Sequence, residues 1–529
     1  MKKNILLALA ALCVCGSAYA VTPLPAYKPL DANNPISPIN FCADPTAVYY
    51  DGRVYIYGSN DQQEFDEGVP EDNTYGKIKQ LVCISSADMI NWTWHNPIKV
   101  TSVSTWAWNS WAPSIASREE ADGKTHFYMY FANGASGVGV MTATSPTGPW
   151  TDPVGKTFVH GGLPIGQVNW LFDPGVVVDE NGTGWLAFGG GGPNSTGSDA
   201  MPGNARIVKL GDDMISFASD FVVLPAPYHF EASELNIIGG KFVYSYSSSW
   251  SGRNDWNSLG INKPAPAICS IAYMTSDDPL NPDSWEYQGD MISGIGSYGW
   301  PGGNNHSHLQ KVGDKYYMFY HMQGLAQKMG VPGAYRSICV NEAKIDEENA
   351  TMQTLDANWR GVNPITENVP QATERQEAEM IWNASGVRMN AASKKQTYVY
   401  KIEEGGWTAV KNVVHEGDEI KSFTASLRGS GTLEVYLEKM EGEPLAVINF
   451  AGEGAKFQEY TVDITKNFGK RRKVFFLFSN VSDNAAFDYW QFSTESAGVQ
   501  AIDADATIVG QEYYTTSGVK VEHPTSGVY

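Results

Sequence analysis

The feature of this sequence that most constrains its fold is a unit that recurs five times between residue 44 and about residue 345. Each copy has a short strand with a polar or aromatic residue at its start, a glycine-containing turn, and a second strand rich in Tyr and Phe. The strand starts are Asp44, Trp111, Asp173, Glu231 and His306. Turns such as Asp51-Gly52 and Asn181-Gly182 between apolar segments predict β-hairpins. Because one hairpin cannot bury its apolar face alone, the repeat predicts a five-bladed β-propeller over residues 35–365.

The pattern changes after about Glu374, where short alternating segments such as 432–438, 446–450 and 474–478 follow one another. Alternation of apolar and polar residues is typical of half-buried strands. We therefore expect an all-β protein in which the propeller is followed by a β-sandwich (jelly-roll) domain over residues 374–495. Residues 496–529 form a tail rich in small and polar residues.

The first twenty residues have the layout of a secretory signal. Lys2 and Lys3 precede an apolar run over residues 5–15, and Ala18-Tyr19-Ala20 offers small residues for cleavage. We therefore expect residues 1–20 to be removed and the protein to be secreted, periplasmic or held at the cell surface. No later segment approaches the roughly 20 apolar residues of a membrane span.

The net charge of the chain indicates which class of binding partner to expect. The formal net charge is −21, and no basic stripe is visible, which argues against a nucleic-acid partner. A neutral glycan fits better, and we expect a monomer. The cysteines beyond the signal lack metal-type spacing, so buried thiols are expected, although export leaves a disulfide open; they are Cys42, Cys83, Cys269 and Cys339.

Three of the five strand starts are acids, namely Asp44, Asp173 and Glu231. Taken singly, Asp before Pro is a common turn former, and Glu231 suits a solvated strand end. At equivalent positions of a propeller, however, the three acids would converge on one end of the channel. Glycosidic cleavage needs one acid to protonate the leaving oxygen and one carboxylate to activate water or attack the sugar, while a third acid can raise the pKa of the proton donor.

These segments resemble glycoside hydrolase family 43 over roughly residues 35–365. The matching motifs are Ala43-Asp44-Pro45-Thr46-Ala47-Val48, Trp111-Ala112-Pro113, Phe172-Asp173-Pro174, Phe230-Glu231-Ala232 and Asn304-Asn305-His306. The resemblance implies an inverting enzyme in which Asp44 is the general base, Asp173 tunes and orients the acid, and Glu231 is the general acid. It also implies that His306 helps to hold a hydrated calcium or another ion at the centre, and that Arg336 contacts the sugar or the acid pair.

Several assignments within this resemblance stay open. Glu234 competes with Glu231, although strand alternation puts the two on opposite faces, and His308 competes with His306. Trp106, Trp108 and Trp111 crowd one loop and strand start, where they would either stack on a sugar or pack beneath the loop.

The second domain resembles a family 6 carbohydrate-binding module, through Glu377-Ala378-Glu379 at its start and Phe487-Asp488-Tyr489-Trp490 near its end. The resemblance implies a structural calcium bound by Glu377, Glu379 and Asp488. Trp407 is the one residue we can name as a platform for sugar. The tail over residues 496–529 resembles the start of a C-terminal sorting domain.

The combination of domains most resembles arabinoxylan arabinofuranohydrolases. We therefore expect a secreted α-L-arabinofuranosidase that removes side chains from plant hemicellulose. A β-xylosidase or an arabinanase on the same fold is the close alternative. A non-catalytic glycan-binding protein is the alternative from another class.

Overall fold

The computed structural model describes residues 21–191, 200–389, 397–452 and 454–497, together with two short strands at 513–514 and 520–521. The predicted signal, residues 1–20, and most of the predicted tail lie outside this part. The protein is all-β, as expected, and its helices are short: α1 (Asp61–Glu67), α2 (Val100–Val103) and α3 (Gly324–Met329). Within the described residues, no helix is long and apolar enough to span a membrane.

Five antiparallel sheets follow one another along the first two thirds of the chain. Sheet 1 contains β1 (Ala43–Tyr50), β2 (Arg53–Ser59), β3 (Leu81–Ser86) and β4 (Trp92–Trp94). Sheet 2 contains β5 (Trp111–Glu119), β6 (Thr125–Ala132), β7 (Gly137–Ala143) and β8 (Val159–His160). Sheet 3 contains β9 (Gly175–Val178), β10 (Gly184–Phe188), β11 (Arg206–Lys209) and β12 (Val222–Val223). Sheet 4 contains β13 (His229–Ile238), β14 (Lys241–Ser248), β15 (Ile271–Ser276) and β16 (Glu286–Ile292), and sheet 5 contains β17 (Ser307–Val312), β18 (Lys315–Met322) and β19 (Ser337–Ala343).

The first strands of these sheets contact one another in cyclic order. β1 contacts β5, β5 contacts β9, β9 contacts β13, β13 contacts β17, and β17 returns to β1. Apolar clusters fill the spaces between neighbouring sheets; one of them joins Tyr57 of sheet 1 to Met129 of sheet 2. The hairpins predicted from the repeat are therefore present and form a closed ring.

A β-sandwich follows, after the short hairpin of β20 (Ile345–Asp346) and β21 (Thr351–Met352). One of its sheets has the order β22 (Gln376–Glu377), β31 (Ala486–Ser493), β26 (Ser422–Arg428) and β29 (Gln458–Asp463). The other has the order β24 (Asn383–Ser385), β25 (Trp407–Val414), β30 (Arg471–Ser479), β27 (Ser430–Leu437) and β28 (Ala446–Ala451). The last pair is β32 (Tyr513–Tyr514) with β33 (Lys520–Val521).

The sandwich is joined to sheet 1 by backbone pairing and by a shared core. Strand β23 (Met380–Ile381) pairs with β4 and so extends sheet 1. Trp382 is fully buried in an apolar cluster that includes Trp92 of sheet 1 and Phe475 of the sandwich. Its indole N–H donates to the carbonyl of Ala32, in the segment that leads into sheet 1.

Two other sequence expectations have clear outcomes. Trp407 is only 1% exposed, and its indole N–H donates to the carbonyl of Leu24, so its interpretation as a sugar platform is wrong. The side chain instead fills the sandwich core beside Phe475. All four cysteines beyond residue 20 are free and buried, which confirms the prediction of buried thiols.

The shared core predicts how a truncation of Trp382 affects stability. Trp382→Ala leaves a large cavity between the two domains, and we expect it to lower the free energy of unfolding by about 3–5 kcal/mol. Trp108→Ala is the matched control, because the side chain of Trp108 is 54% exposed. Urea unfolding followed by circular dichroism measures both variants. Equal effects at the two positions would show that Trp382 does not contribute to a shared core.

Candidate active site

Local irregularities at the start of three first strands place the candidate residues. The register of β1 shifts between Ala43 and Thr46, that of β5 between Trp111 and Ser114, and that of β13 between His229 and Glu234. Such β-bulges bend a strand and redirect its side chains. They explain how polar residues reach one end of the ring although the strands themselves are buried.

The backbone angles correct the alignment of the repeats. Positive φ values occur at Asp44 (50°), Ala112 (33°), Asp173 (48°) and Ala232 (60°), which are therefore the equivalent positions in the first four sheets. The sequence repeat equated Asp44 and Asp173 with Trp111 and Glu231. Trp111 and Glu231 in fact lie one residue before the equivalent position, where the first sheet has Ala43 at the start of the same irregularity.

All three candidate acids nevertheless line one pocket of about 130 Å³. The pocket also contains three other side chains that the sequence singled out, Trp111, His306 and Arg336. It is completed by Tyr75, Ala112, Phe172 and Asn304. The ring thus brings together residues that are up to about 290 positions apart in the chain.

Arg336 lies at the centre of the polar contacts in this pocket. Its guanidinium donates to Oδ1 of Asp44 at 2.7 Å and, through Nε and Nη2, to both carboxylate oxygens of Asp61 at 2.9 and 2.8 Å. The same group lies over the ring of Tyr75, at 5.0 Å from its centroid. Arg336 is only 4% exposed, so the two carboxylates compensate a charge that is largely shielded from water.

The environment of Asp44 keeps its carboxyl group ionised. Ser59 Oγ donates to Oδ2 at 2.6 Å, while Arg336 binds Oδ1. Burial alone would raise the pKa of Asp44, but the charge of Arg336 and the Ser59 hydrogen bond hold that pKa below its ordinary value of 3.8. A carboxylate of this kind can accept a proton from water during a reaction.

The surroundings of Glu231 and Asp173 instead raise the pKa of each carboxyl group. Burial, with the nearby charge of Asp44, raises the pKa of Glu231 to about 7. Burial, Glu231 and Asp44 together raise the pKa of Asp173 well above 3.8. One acid in the pocket is therefore charged at neutral pH, while its neighbours hold protons more readily.

Two hydrogen bonds orient the acidic side of the pocket. Asn304 Nδ2 donates to Oε1 of Glu231 at 3.0 Å, and the backbone N–H of Ala232 donates to Oδ2 of Asp173 at 2.8 Å. Asn304 also accepts from Arg336 at 3.2 Å. Asn304 thereby connects the arginine to the carboxyl group of Glu231.

The rival residues Glu234 and His308 lie elsewhere. Nδ1 of His308 is 3.2 Å from Oε1 of Glu234, and Ser114 Oγ donates to Oε2 of Glu234 at 3.4 Å. Neither residue lines the pocket of the three acids. His308 instead lines a second cavity of about 320 Å³ between the five first strands.

The three candidate tryptophans have different environments. Trp111 lines the pocket, and its indole N–H donates to the carbonyl of Tyr75 at 2.9 Å. Trp106 stacks on Phe131 and donates to Asp152, outside the pocket. Trp108 is exposed. Only Trp111 is therefore placed to contact a ligand inside the pocket itself.

The sequence interpretation missed several members of the site. Asp61, Tyr75, Asn304 and His321 were not among the candidates, although Asn304 stands within a motif already noted. Asp61 begins α1, directly after the capping residue Asn60. No local pattern reveals the role of Asp61, because its partner Arg336 is 275 residues away in the chain.

The predicted calcium ligands of the sandwich are gathered in a separate pocket. Glu377, Glu379 and Asp488 line it together with Arg375 and Thr397. Oε2 of Glu379 is buried without a hydrogen-bond partner, and burial raises the pKa of Glu379 to about 7. Across the described ranges, no group of three or more His, Cys, Asp or Glu residues is arranged to hold a metal ion.

Comparison with known proteins agrees with this geometry. Residues 377–494 match the model for carbohydrate binding module (family 6). An arabinoxylan arabinofuranohydrolase of Bacillus subtilis (strain 168) is 35% identical over 92% of this chain and 98% of its own length, and one of Paenibacillus polymyxa is 32% identical over 94% and 79%. The crystal structure of a family 43 arabinoxylan arabinofuranohydrolase from Bacillus subtilis, in complex with cellotetraose, superposes with a TM-score of 0.80 at 34% identity, covering 89% of this chain and 99% of that one.

Residues 32–350 match the model for glycosyl hydrolases family 43, and this match contains the ring of sheets and the pocket of the three acids. The chain is therefore a glycoside hydrolase that belongs to family 43.

Proposed function

We propose that this protein is an inverting α-L-arabinofuranosidase that removes arabinofuranosyl side chains from arabinoxylan. Two relatives that match most of the chain carry the name arabinoxylan arabinofuranohydrolase. We further propose that the five sheets form the blades of a five-bladed β-propeller. The cyclic contacts of their first strands and the cavity that all five line support this architecture.

The observation that carries the proposal is the contrast between Asp44 and Glu231 within one pocket. The pKa of Asp44 is held below its ordinary value, whereas that of Glu231 is raised to about 7. Two titratable groups whose surroundings move their pKa values apart are suited to act as base and acid. A binding protein without catalytic activity has no need of this separation.

The mechanism follows from these assignments. Asp44 accepts a proton from a water molecule as the water oxygen bonds to the anomeric carbon of the arabinofuranosyl group. Glu231 donates its proton to the glycosidic oxygen as the bond from that oxygen to the anomeric carbon breaks. Arabinose of inverted configuration and a free hydroxyl on the xylan chain result, and exchange with water restores both protonation states.

Asp173 is the residue that we propose to tune and orient the acid. After burial, the charge of Glu231 is the main cause that raises the pKa of Asp173, because neighbouring carboxylates oppose joint ionisation. Its hydrogen bond with the amide of Ala232 fixes the backbone next to Glu231. We propose that Trp111, His306 and Arg336 contact the bound sugar, while Trp106 and Trp108 remain more distant candidates for the polysaccharide.

We also propose calcium as a structural ion of the sandwich, held by Glu377, Glu379 and Asp488. The three carboxylates share a pocket, and their oxygens are ligands that calcium prefers. Since these side chains are not yet arranged around a common point, binding requires them to turn toward one another. A hydrated ion beside His306 is a further proposal, as are export through residues 1–20 and a monomeric state.

The substrate assignment is tested by product analysis on purified polysaccharides. We expect arabinose from arabinoxylan, and little release from linear arabinan or an aryl β-xyloside. Anion-exchange chromatography identifies the products. Xylose as the sole product would instead favour the β-xylosidase alternative, and oligosaccharides from arabinan would favour an arabinanase.

The pH dependence tests the roles of Asp44 and Glu231. Activity requires Asp44 to be deprotonated and Glu231 to be protonated, so kcat/KM should fall above about pH 7 and, on the acid side, only below the ordinary aspartate pKa of 3.8. Glu231→Gln removes the acid and should lower kcat by about 10²–10⁴-fold. Glu234→Gln is the matched control, because Glu234 lies outside the pocket, and it should keep both limbs of the profile. A larger loss of kcat in the control would instead identify Glu234 as the acid.

The calcium proposal is tested by thermal unfolding. After treatment with a chelator, added calcium should raise Tm because it binds only the folded site. The carboxylate variants Glu379→Gln and Asp488→Asn should not respond, whereas Glu404→Gln, an exposed change in the same domain, should respond like the unaltered protein. An equal calcium response in all of these proteins would place the ion elsewhere.

A further inference from the structure

The β-bulges at the head of the ring leave backbone amides that need hydrogen-bond partners. In three of the sheets, a side chain of the preceding sheet supplies the partner. The amide of Ala112 donates to Ser59 Oγ at 2.9 Å, and that of Ala232 donates to Asp173 Oδ2 at 2.8 Å. The amide of Asp44 donates to Nδ1 of His321 at 3.1 Å, from sheet 5 across the closure of the ring.

The contacts of His321 define the protonation state of its ring. Nδ1 accepts from the Asp44 amide, and Nε2 lies 3.2 Å from the carbonyl oxygen of Asn304, which can only accept a hydrogen bond. The ring is therefore neutral, with its single hydrogen on Nε2. Burial and the charge of Arg336 lower the pKa of His321 to about 3, which agrees with this state.

Asn304 connects His321 to the proposed acid, Glu231. Its backbone is bound by His321, while its side chain donates to Glu231 and accepts from Arg336. Arg336 in turn binds the carboxylate of Asp44. His321 therefore connects the main chain of Asp44 to the main chain of the residue that holds Glu231.

The backbone of Asp44 is strained and needs support from neighbouring residues. Its φ of 50° lies in the left-handed region, which residues other than glycine seldom adopt without support from their surroundings. The hydrogen bond that the Asp44 amide donates to Nδ1 of His321 supplies such support directly at the strained residue. His321 itself is 1% exposed and does not line the pocket, so it acts through its neighbours and not on a ligand.

We propose that His321 is a positioning residue that fixes Asp44 relative to Glu231 by binding the Asp44 amide and the Asn304 carbonyl. Asp173 performs the corresponding task on the acid side, where its carboxylate binds the amide next to Glu231. This inference rests on the proposed roles of Asp44 and Glu231 as base and acid. Inversion needs the two carboxyl groups at a separation that admits one water molecule, so small displacements reduce the rate.

The test begins with His321→Phe, which keeps the ring size and removes both hydrogen bonds. We expect kcat to fall roughly tenfold to a hundredfold, with KM changing by less than about threefold, because positioning is lost while the sugar contacts remain. His321→Asn places an amide oxygen near Nδ1, and His321→Gln places an amide nitrogen near Nε2. Each variant should recover part of the lost kcat.

The matched control is His95→Phe. His95 is another poorly exposed histidine with one side-chain hydrogen bond, to Ser85. It follows β4 and lies outside the pocket of the three acids, in the pocket that contains Glu379, so both variants are compared in the presence of a chelator. His95→Phe should lower Tm about as much as His321→Phe but leave kcat within about twofold. If kcat follows Tm equally in both variants, the role of His321 is merely structural and the inference is wrong.

A double-mutant cycle tests the route through Asn304. Asn304→Ala should lower kcat by itself. The double variant should lose much less kcat than the product of the two single-variant losses, because both residues act on the placement of Glu231. Full multiplication of the effects would contradict the proposed link. If His321→Phe does not fold, the cycle is run with His321→Gln, and wild-type kcat in both the Asn and Gln variants would overturn the inference.

Parallel assays of Asp44→Asn and Glu231→Gln separate this inference from the proposed function. Loss of activity in both, with unchanged kcat in His321→Phe, would refute only the positioning role. Retained activity in either carboxylate variant would refute the base and acid assignment itself.

Discussion

The charge of Arg336 is the constraint on which the rest of the site depends. A buried guanidinium needs compensation, and Asp44 and Asp61 supply it through direct hydrogen bonds. Because Arg336 holds Asp44 ionised, a negative charge is fixed in the pocket, and that charge helps to raise the pKa of Glu231 and Asp173. The division into one charged and two protonatable acids thus follows from the burial of all three acids and from the direct contact of the cation with only one of them, Asp44.

The ring of sheets supplies the means to hold this arrangement. A regular strand would bury alternate side chains between sheets and leave little room for carboxylates at its end. The bulges interrupt that regularity, and side chains such as Ser59, Asp173 and His321 bind the amides that they release. Fold and site are therefore coupled, because the hydrogen bonds that join neighbouring sheets are also those that orient the acids.

Much of this could be predicted from sequence, and the exceptions have physical reasons. The hairpins of the repeat and the strands of the sandwich were identified because alternation and turn residues are local signals. Asp44, Asp173 and Glu231 were identified because a repeat converts distant positions into neighbours. The alignment of Trp111 and Glu231 was wrong by one residue, because the repeat was aligned on chemically notable side chains, whereas the equivalent positions hold the small residues Ala112 and Ala232. His321 and Asp61 were missed because their partners lie in other sheets, and Trp407 was misplaced because burial depends on the packing of the whole sandwich.

The polar partners of Glu231 and Glu234 explain why only Glu231 is the candidate acid. Burial raises the pKa of Glu234 as it does that of Glu231, so pKa alone does not distinguish them. Their partners do distinguish them. Glu234 is paired with His308 and Ser114 between the first strands, whereas Glu231 is bound on one oxygen by Asn304 and faces the pocket with Asp44. A proton donor must reach its substrate. The strand is irregular between the two residues, and Glu231 lines the pocket, whereas Glu234 stays buried beside His308 and Ser114.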